Sequence, residues 1–358
     1  MIGERVATAA DLDAFYTDLE ANGLQGLWRV RTQTSEPRTK VVPHRWPWEM
    51  LRRQLVRAGE VLTLDRSAER RVLLLVNPGL VADNAATHTL TAAVQMIKPG
   101  EVAPTHRHTA TAIRFIIEGE GAYTTVEGEK VVMRAGDLIL TPNWTWHDHG
   151  NETAAPVYWM DGLDRPLVSA LNAGFHEPYP ADSQPVQLPA DYSLYKYGQS
   201  LRPAGERRAE TFSPQRVYRW DDTYAALRSL AALGEANTHD DVALEYTNPT
   251  TGGPVLPTLG CAIQLLRPGV HTRAHRHTSS SVYHVFRGRG YSVINGQRLD
   301  WEQGDFLAVP PWAWHEHANA STADEAVLFS INDLPAMEAL ALYREQAYAE
   351  HDGHQPIA

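Results

Sequence analysis

The chain carries a close internal repeat, and this repeat limits what the sequence can fold into. The segment from Gly100, GEVAPTHRHTATAIRFIIEGEG, matches the segment from Gly269, GVHTRAHRHTSSSVYHVFRGRG. Further along, GDLILTPNWTWHDHGN from Gly136 matches GDFLAVPPWAWHEHAN from Gly304. The first pair is offset by 169 residues and the second by 168, so one residue was lost in between. A duplicated domain is the simplest explanation.

Each copy of the repeat has the pattern of β-structure. Short apolar or alternating segments are separated by Gly, Pro and Asn, which is typical of strands and turns. In the first copy these segments are 72–76, 90–97, 112–117, 123–126 and 138–142. Many short antiparallel strands at close spacing predict a small barrel or a double-sheet jelly roll.

Helical patterns lie outside the repeated motifs. Apolar spacing predicts peripheral helices over 7–23, 48–59, 221–234 and 334–351. We therefore expect five regions along the chain. They are an N-terminal helical arm (1–60), a first β-domain (61–180), a linker with a helix (181–240), a second β-domain (241–332) and a C-terminal helix (333–358).

The charge of the chain excludes some partners. With a net charge of -11, it should bind neither nucleic acid nor an anionic membrane surface. A negatively charged substrate would need a local cluster of positive charge. The single cysteine, Cys261, cannot form an internal disulfide, and we find neither a leader segment nor an 18-residue apolar run. We expect a cytoplasmic protein.

The histidines form the clearest candidate site. His106 and His108 alternate on a predicted strand, so their imidazoles share one face. His147 follows the strand predicted over 138–142. Three converging imidazoles suit Fe, Zn, Cu or Ni, and they leave coordination positions open, as catalytic sites do. A His-x-His pair alone would more often be surface or core histidines, but its surroundings here are specific.

The residues around these histidines resemble the two signature motifs of the cupin superfamily, once in each half. The resemblance implies a mainly β bicupin, with two small antiparallel β-barrels of the jelly-roll type and peripheral helices. Many cupins place a glutamate ligand shortly after His-x-His, but the corresponding residues here are Ala112 and Ser281. A three-histidine set has no negative ligand, which argues against bicupins that depend on that glutamate.

Among bicupins, the chain resembles the gentisate 1,2-dioxygenase family, which includes salicylate and 1-hydroxy-2-naphthoate 1,2-dioxygenases. The segments RRVLLLVNPGL, GDLILTPNWTWHDHGN and WMDGLDRPLV carry this resemblance together with the first His-x-His motif. It implies Fe(II) on His106, His108 and His147, with a small aromatic carboxylic acid and O2 as substrates. It also implies ring opening between the carboxyl- and hydroxyl-bearing carbons, and a homotetramer or other homo-oligomer.

Two arginines are candidates for binding the substrate carboxylate. Arg114 lies six residues after His108, so an unbroken strand would point it to the ligand face. The alternative is a structural salt bridge. The resemblance assigns a second anion contact to Arg70, but the adjacent Arg71 would take that place after a slip of one residue.

The resemblance assigns further roles around the metal. Gln95 matches an amide that contacts the substrate, while His149 and Asp161 match residues that support the ligands or the arginines; for these two, structural hydrogen bonding is the alternative. Thr91 departs from the family, in which many members have a large aromatic residue there. The added room keeps 5-substituted salicylates (chloro, nitro or amino), salicylate and 1-hydroxy-2-naphthoate open beside gentisate.

The second half has its own triad, His275, His277 and His315, which forms a possible second metal site. The alternative is a packing domain whose histidines bond to each other or to water. Gln264 and His317 repeat Gln95 and His149, but we align Tyr283 with Arg114 and Phe329 with Asp161. We therefore expect catalysis in the first half. A non-catalytic bicupin, or another metal-cupin enzyme such as a sugar-phosphate isomerase or thiol dioxygenase, remains the rival interpretation.

Overall fold

The structure is a computed structural model that describes residues 8–30, 34–62, 70–198, 203–206 and 211–357. It divides into two compact units, Met1–Arg38 and Thr39–Ala358. The first unit contains helix α1 (Ala9–Ala21), which begins at the cap residue Thr8 and confirms the helix predicted there. The Thr8 hydroxyl accepts from the Asp11 amide, and the Asp11 carboxylate accepts from the Thr8 amide, so both free amides are satisfied.

The second unit contains the remaining strands and helices. Strands up to the linker are β1 (His44–Trp46), β2 (Arg71–Leu74), β3 (Thr91–Ile97), β4 (Val102–His108), β5 (Ala112–Glu118), β6 (Glu120–Val126), β7 (Glu129–Arg134), β8 (Leu138–Thr141), β9 (His147–Asn151), β10 (Val157–Leu163), β11 (His176–Pro178) and β12 (Val217–Tyr218). Strands after it are β13 (Val242–Glu245), β14 (Gly260–Leu266), β15 (His275–His277), β16 (Ser281–Arg287), β17 (Arg289–Ile294), β18 (Gln297–Glu302), β19 (Phe306–Val309), β20 (His315–Asn319), β21 (Ala326–Asn332) and β22 (Glu345–Ala347). The helices are α2 (Trp48–Val61), α3 (Arg165–Ala170), α4 (Tyr192–Tyr197), α5 (Trp220–Ala232) and α6 (Leu334–Ala339).

Each half forms a two-layer jelly roll. In the first half the sheets have the strand orders β12-β8-β5-β10-β3-β2 and β11-β4-β9-β6-β7. In the second half they are β1-β19-β16-β21-β14-β13 and β18-β17-β20-β15-β22. The predicted bicupin of mainly β-structure is confirmed, although the sheets do not close into complete barrels. None of the helices in the described ranges has the length and apolar character needed to cross a membrane.

The two jelly rolls share one hydrophobic core. Alternate residues of β3 and β5, such as Val94 and Phe115, point out of the first jelly roll and meet apolar residues of the second. Phe115 stacks on Phe329, with ring centroids 4.0 Å apart. The intervening residues of β3 and β5 line the interior of the first jelly roll, which contains an apolar cluster around Trp159. The second jelly roll contains its own apolar cluster around Trp301. The shared core therefore fixes which residues face the interior.

The segments before and between the jelly rolls also contribute to the second unit. Strand β1 extends the second half's sheet by pairing with β19, and α2 buries Leu51 and Leu55 in the shared core. The helices predicted over 48–59 and 221–234 are confirmed as α2 and α5. Residues 1–7 and 31–33 of the predicted arm, 63–69 of the predicted first β-domain, and 199–202 and 207–210 of the predicted linker lie outside the described residues.

The predicted C-terminal helix over 333–358 is wrong beyond Ala339. The chain leaves α6 through Ala341, whose φ is 56°, and continues as β22, which pairs with β15. The first half does the same: α3 is followed by Asn172, with φ 53°, and by β11. The edge of each five-stranded sheet thus pairs with this segment, and that pairing overrides the helical preference of the sequence.

Because the shared core joins the halves, truncating its central ring should destabilise the whole protein. We expect Phe115→Ala to lower the free energy of unfolding by about 3–5 kcal/mol, since it removes a fully buried stacked ring. Phe115→Leu, which keeps most of the volume, should cost clearly less. Urea titration followed by tryptophan fluorescence measures both variants. Equal midpoints for Phe115→Ala and the unsubstituted protein would contradict the assignment of a joint core.

Candidate metal centre

The first triad comes together as the strand pattern predicts. His106 and His108 lie on β4, and His147 lies on β9, where it is the register partner of His106. The ring centroid of His147 is 4.4 Å from that of His106 and 4.9 Å from that of His108. One ring nitrogen from each residue lies within 4.8 Å of the other two. Three imidazoles at this spacing can bind one metal ion.

Backbone carbonyls set the orientation of these rings. Nδ1 of His108 is 2.7 Å from the Ala110 carbonyl, and Nδ1 of His147 is 2.9 Å from the Thr145 carbonyl. A nitrogen that donates to a carbonyl leaves the lone pair on Nε2. Nε2 of His147 is buried and has no hydrogen-bond partner among the described residues. An unsatisfied buried acceptor facing two further imidazoles fits a metal ion.

The protonation of the triad also suits metal binding. Burial, reinforced by the charge of Arg70, lowers the pKa of His106 to about 2. Burial lowers the pKa of His108 to about 4 and holds the pKa of His147 well below its usual range. The three imidazoles are therefore neutral at physiological pH, which is the form that binds a metal.

Arg70 contacts the triad through His106. Its Nη2 lies 2.6 Å from Nδ1 of His106 and 3.3 Å from the Pro104 carbonyl, which is itself 3.1 Å from Nδ1. Nδ1 cannot accept from Arg70 and donate to Pro104 at once. Ligation through Nε2 requires the second arrangement, in which His106 keeps its Nδ1 proton and Arg70 bonds elsewhere.

Arg71 takes a different direction. Its guanidinium pairs with Glu101, with Nη1 2.6 Å from Oε1, and bonds to the Leu62 carbonyl. The side chain is almost fully buried in this contact. Of the two adjacent arginines, Arg70 is therefore the one that contacts the triad, and Arg71 holds the start of β2 in place.

Arg114 lies inside the first jelly roll. It is 2% exposed, and its Nη1 donates to the Thr141 hydroxyl. Its Nε is 3.5 Å from Oδ1 of Asp161 and has no hydrogen-bond partner in the described part of the chain. Burial raises the pKa of Asp161, and the charge of Arg114 opposes that shift. Asp161, which also accepts from Trp159 Nε1 at 3.0 Å, thus helps to hold the arginine inside.

The remaining predicted residues face the same interior. Thr91 and Gln95 lie on the same face of β3 and are buried. The Thr91 hydroxyl accepts from Arg165 Nε at 3.4 Å. His149 is fully buried, its Nδ1 shares a hydrogen bond with the Thr124 hydroxyl, and its Nε2 has no partner among the described residues. Burial holds the pKa of His149 well below its usual range, so this imidazole is neutral.

Comparison with known proteins agrees with this geometry. The family described as Cupin domain matches residues 93–163 and 262–332. A 5-aminosalicylate 1,2-dioxygenase from Comamonas sp is 43% identical, over 97% of this chain and 93% of the relative. A gentisate 1,2 dioxygenase 1 from Aquipseudomonas alcaligenes is 38% identical, with 96% and 98% covered. The crystal structure of a salicylate 1,2-dioxygenase from Pseudoaminobacter salicylatoxidans, in adducts with gentisate, has a TM-score of 0.89 at 35% identity, with 96% of both chains covered.

This chain belongs to the gentisate 1,2-dioxygenase family. Its relatives include enzymes named for gentisate, 5-aminosalicylate and 1-hydroxy-2-naphthoate, so the family is one of oxidoreductases that act on aromatic acids. The resemblance seen in the sequence motifs is confirmed over nearly the full chain.

One residue of this family member's site escaped the sequence analysis. His176 on β11 is the register partner of His108, and its ring stacks on His106 at 5.1 Å between centroids. The sequence pattern predicts no strand in this segment, at the end of the first β-domain. Its repeat in the second half, in which Pro335 and Tyr348 match Pro166 and Tyr179, was the available signal.

The residue between the two ligands of β4 stabilises the strand from outside. Arg107 packs over the rings of Trp144 and Trp146, each 4.4 Å from the guanidinium carbon, and pairs with Glu177 at 2.6 Å. The WTWH motif therefore supplies both a ligand, His147, and the aromatic pair that holds the neighbouring strand.

The register corrects one alignment between the halves. Asp161 pairs with Arg114, and its true counterpart is Ser330, which pairs with Tyr283. Phe329 is instead part of the shared core. The loop before β21 is one residue longer than the loop before β10, which restores the offset of 169. The conclusion is unchanged, because Ser330 also lacks a carboxylate.

The two adjacent arginines should behave differently in stability measurements. Arg71→Gln would leave Glu101 without its partner in a largely buried place, and we expect a loss of about 2–3 kcal/mol. Arg70→Gln should cost less, about 1 kcal/mol or below, because the Arg70 side chain is less buried than that of Arg71. Urea titration of the metal-free proteins compares the two. A larger loss for Arg70→Gln would reverse the roles assigned here.

Proposed function

We propose that this chain is an Fe(II)-dependent dioxygenase that opens the ring of a small aromatic acid. Both atoms of O2 enter between the carboxyl- and hydroxyl-bearing carbons, and gentisate would give maleylpyruvate. The observation that carries the proposal is the buried arginine, Arg114, inside the same jelly roll as a three-histidine set without a carboxylate ligand. The 5-substituted salicylates are the second candidate substrates. Thr91 and the 43% identity to a 5-aminosalicylate 1,2-dioxygenase favour the amino compound.

His106, His108 and His147 would hold the iron, and the unsatisfied Nε2 of His147 supports this assignment. Bound Fe(II) supplies a redox-active Lewis acid with adjacent open positions for O2 and a chelating substrate. Because the three imidazoles are neutral, they do not offset the charge of the metal. A substrate that chelates through a carboxylate and a hydroxyl is therefore favoured over a neutral one.

Protein side chains would bind and orient the acid. Arg114 offers to the carboxylate its Nε–H, which lies 3.5 Å from Asp161 and makes no hydrogen bond among the described residues, and a charge-assisted hydrogen bond of this kind is strong in a buried place. Arg70 provides a second positive charge once His106 is held by the Pro104 carbonyl. Gln95 contributes an amide on the same interior face. Nε2 of His149 is the atom we assign to the ring hydroxyl and its proton, since this imidazole is neutral and otherwise unpartnered.

The proposal places catalysis in the first jelly roll. Tyr283 and Ser330 stand in the second half where Arg114 and Asp161 stand in the first, so the second half lacks the carboxylate clamp. We further propose a cytoplasmic homo-oligomer, with a tetramer as the first expectation. The lone buried Cys261 supports the compartment, and the resemblance to the family supports the assembly.

Oxygen uptake tests the proposed activity. Protein reconstituted anaerobically with Fe(II) should consume O2 and change the ultraviolet spectrum with gentisate or a 5-substituted salicylate. Arg114→Gln should lower kcat/KM by about 10- to 100-fold, because it removes one charged hydrogen bond to the carboxylate. His147→Ala should abolish turnover.

Tyr283→Phe, at the position in the second half that corresponds to Arg114, is the matched control and should keep full activity. Circular dichroism checks that all variants are folded. Iron-loaded protein that consumes no O2 with gentisate, salicylate, its 5-chloro, 5-nitro or 5-amino forms, or 1-hydroxy-2-naphthoate would reject ring cleavage. It would then favour the isomerase or the non-catalytic bicupin.

Thr91 should control which rings fit. We expect Thr91→Tyr to reduce kcat/KM for 1-hydroxy-2-naphthoate and 5-aminosalicylate by about tenfold or more relative to gentisate, since the larger side chain fills buried space. Thr91→Val keeps the volume, removes the hydroxyl that accepts from Arg165, and serves as the control. An unchanged substrate ranking in Thr91→Tyr would place the ring substituents elsewhere in the pocket.

A further inference from the structure

The second jelly roll contains a histidine triad with nearly the same dimensions as the first. The centroid of His315 is 4.3 Å from that of His275 and 4.9 Å from that of His277, and the last two are 5.4 Å apart. The corresponding distances in the first triad are 4.4, 4.9 and 5.4 Å. A ring nitrogen of each of the three residues again lies within 4.8 Å of the others.

The surroundings of this triad leave Nε2 available. Nδ1 of His277 is 2.8 Å from the Ser279 carbonyl, and Nδ1 of His315 is 3.0 Å from the Ala313 carbonyl. Nε2 of His315 is buried, in a residue that is 1% exposed, and has no partner among the described residues. In the described part of the chain no hydrogen bond joins these histidines to one another, so in the alternative of a packing domain water would have to be their partner. We propose that His275, His277 and His315 bind a second divalent transition-metal ion, in a pocket that takes ligands without negative charge.

The charge of the pocket carries the second part of this proposal. A cavity of about 460 Å³ is lined by His275 and His277 of the triad, and this volume is enough for a small molecule. Its lining includes the carboxylates Asp240, Glu245 and Glu345, and neither lysine nor arginine is among the described lining residues. Tyr283 occupies the position of Arg114. These side chains therefore oppose the attraction of a bound metal ion for an aromatic carboxylate, whereas Arg114 adds to that attraction in the first pocket; water, an alcohol or an amine meets no such opposition.

A difference in the support of the ligands predicts a weaker second site. In the first half, the Pro104 carbonyl lies within reach of Nδ1 of His106. The corresponding carbonyl in the second half, that of Arg273, bonds instead to Nδ1 of His239 at 3.0 Å. Nδ1 of His275 is buried without a partner among the described residues. Since loss of such an orienting bond weakens metal binding by about 10- to 100-fold, we expect this difference between the two sites.

Metal stoichiometry of the full-length protein tests the second site. After anaerobic incubation with excess Fe(II) or Zn²⁺ and gel filtration, the unsubstituted protein should retain two ions per chain by plasma emission spectrometry. His147→Ala and His315→Ala should each retain one, and the double variant none. His351→Ala, which removes an exposed histidine outside both triads, should retain two. His315→Gln is a second, closer replacement in case His315→Ala does not fold.

One ion per chain at saturating metal, or two ions in a folded His315 variant, would overturn the second metal site. A chelator titration should remove the ion of the second site at about 10- to 100-fold lower chelator concentration. His315→Ala should keep the oxygen uptake of the unsubstituted protein, so the outcome is distinguishable from failure of the proposed ring cleavage. Salicylate should change the anaerobic Fe(II) spectrum of His315→Ala but not that of His147→Ala. A change in His147→Ala would overturn the charge selection assigned to the second pocket.

Discussion

The two six-stranded sheets, one from each half, pack against each other through one face each. This packing determines which side chains face the interior of each jelly roll. Because side chains alternate along a strand, committing one face of β3 and β5 to the shared core forces the other face inward. Gln95 lies between Val94 and Met96, and Arg114 lies between Ile113 and Phe115. A register slip of one residue would expel the polar groups and place phenylalanine rings in the site. The hydrophobic contact between the halves is thus what keeps a buried arginine near the metal ligands.

Much of this could be predicted from the sequence because it depends on short-range periodicity. The His-x-His pair requires only that β4 be regular. Arg114 lies inside the jelly roll as expected, but not along an unbroken strand from His108, because β4 ends at His108 and Arg114 lies on β5 in the opposite sheet. The prediction of a C-terminal helix was wrong because β22 forms by pairing with β15, about 70 residues earlier in the chain. Local helix propensity cannot detect such a distant partner. The alignment of Phe329 failed for a related reason. One added loop residue moves every later side chain to the opposite face, and no local pattern reveals it.

The choice between Arg70 and Arg71 illustrates a further limit. Arg70 directly precedes β2 and Arg71 is its first residue, both are positively charged, and either fits the motif. The distinction lies in Glu101, a partner on another segment that takes up Arg71 and leaves its neighbour near His106. In an acidic chain that binds an anion, some arginines must pair with carboxylates of the protein and others must stay near the ligand, because each buried guanidinium requires a specific carboxylate or ligand. Long-range pairing therefore determines function where sequence position alone is ambiguous.

The two halves show why metal ligands can be retained after duplication while the residues that contact the substrate change. The imidazoles of both triads are oriented largely by backbone carbonyls, such as those of Ala110 and Ser279, and the strand geometry supplies these whatever the side chains are. The substrate contacts depend on individual side chains, so one change, such as arginine to tyrosine, alters the preference for charge. A fold that builds ligand orientation into its backbone can keep a metal site while the chemistry around it diverges. The acidic pocket lined by His275 is the consequence expected from that asymmetry.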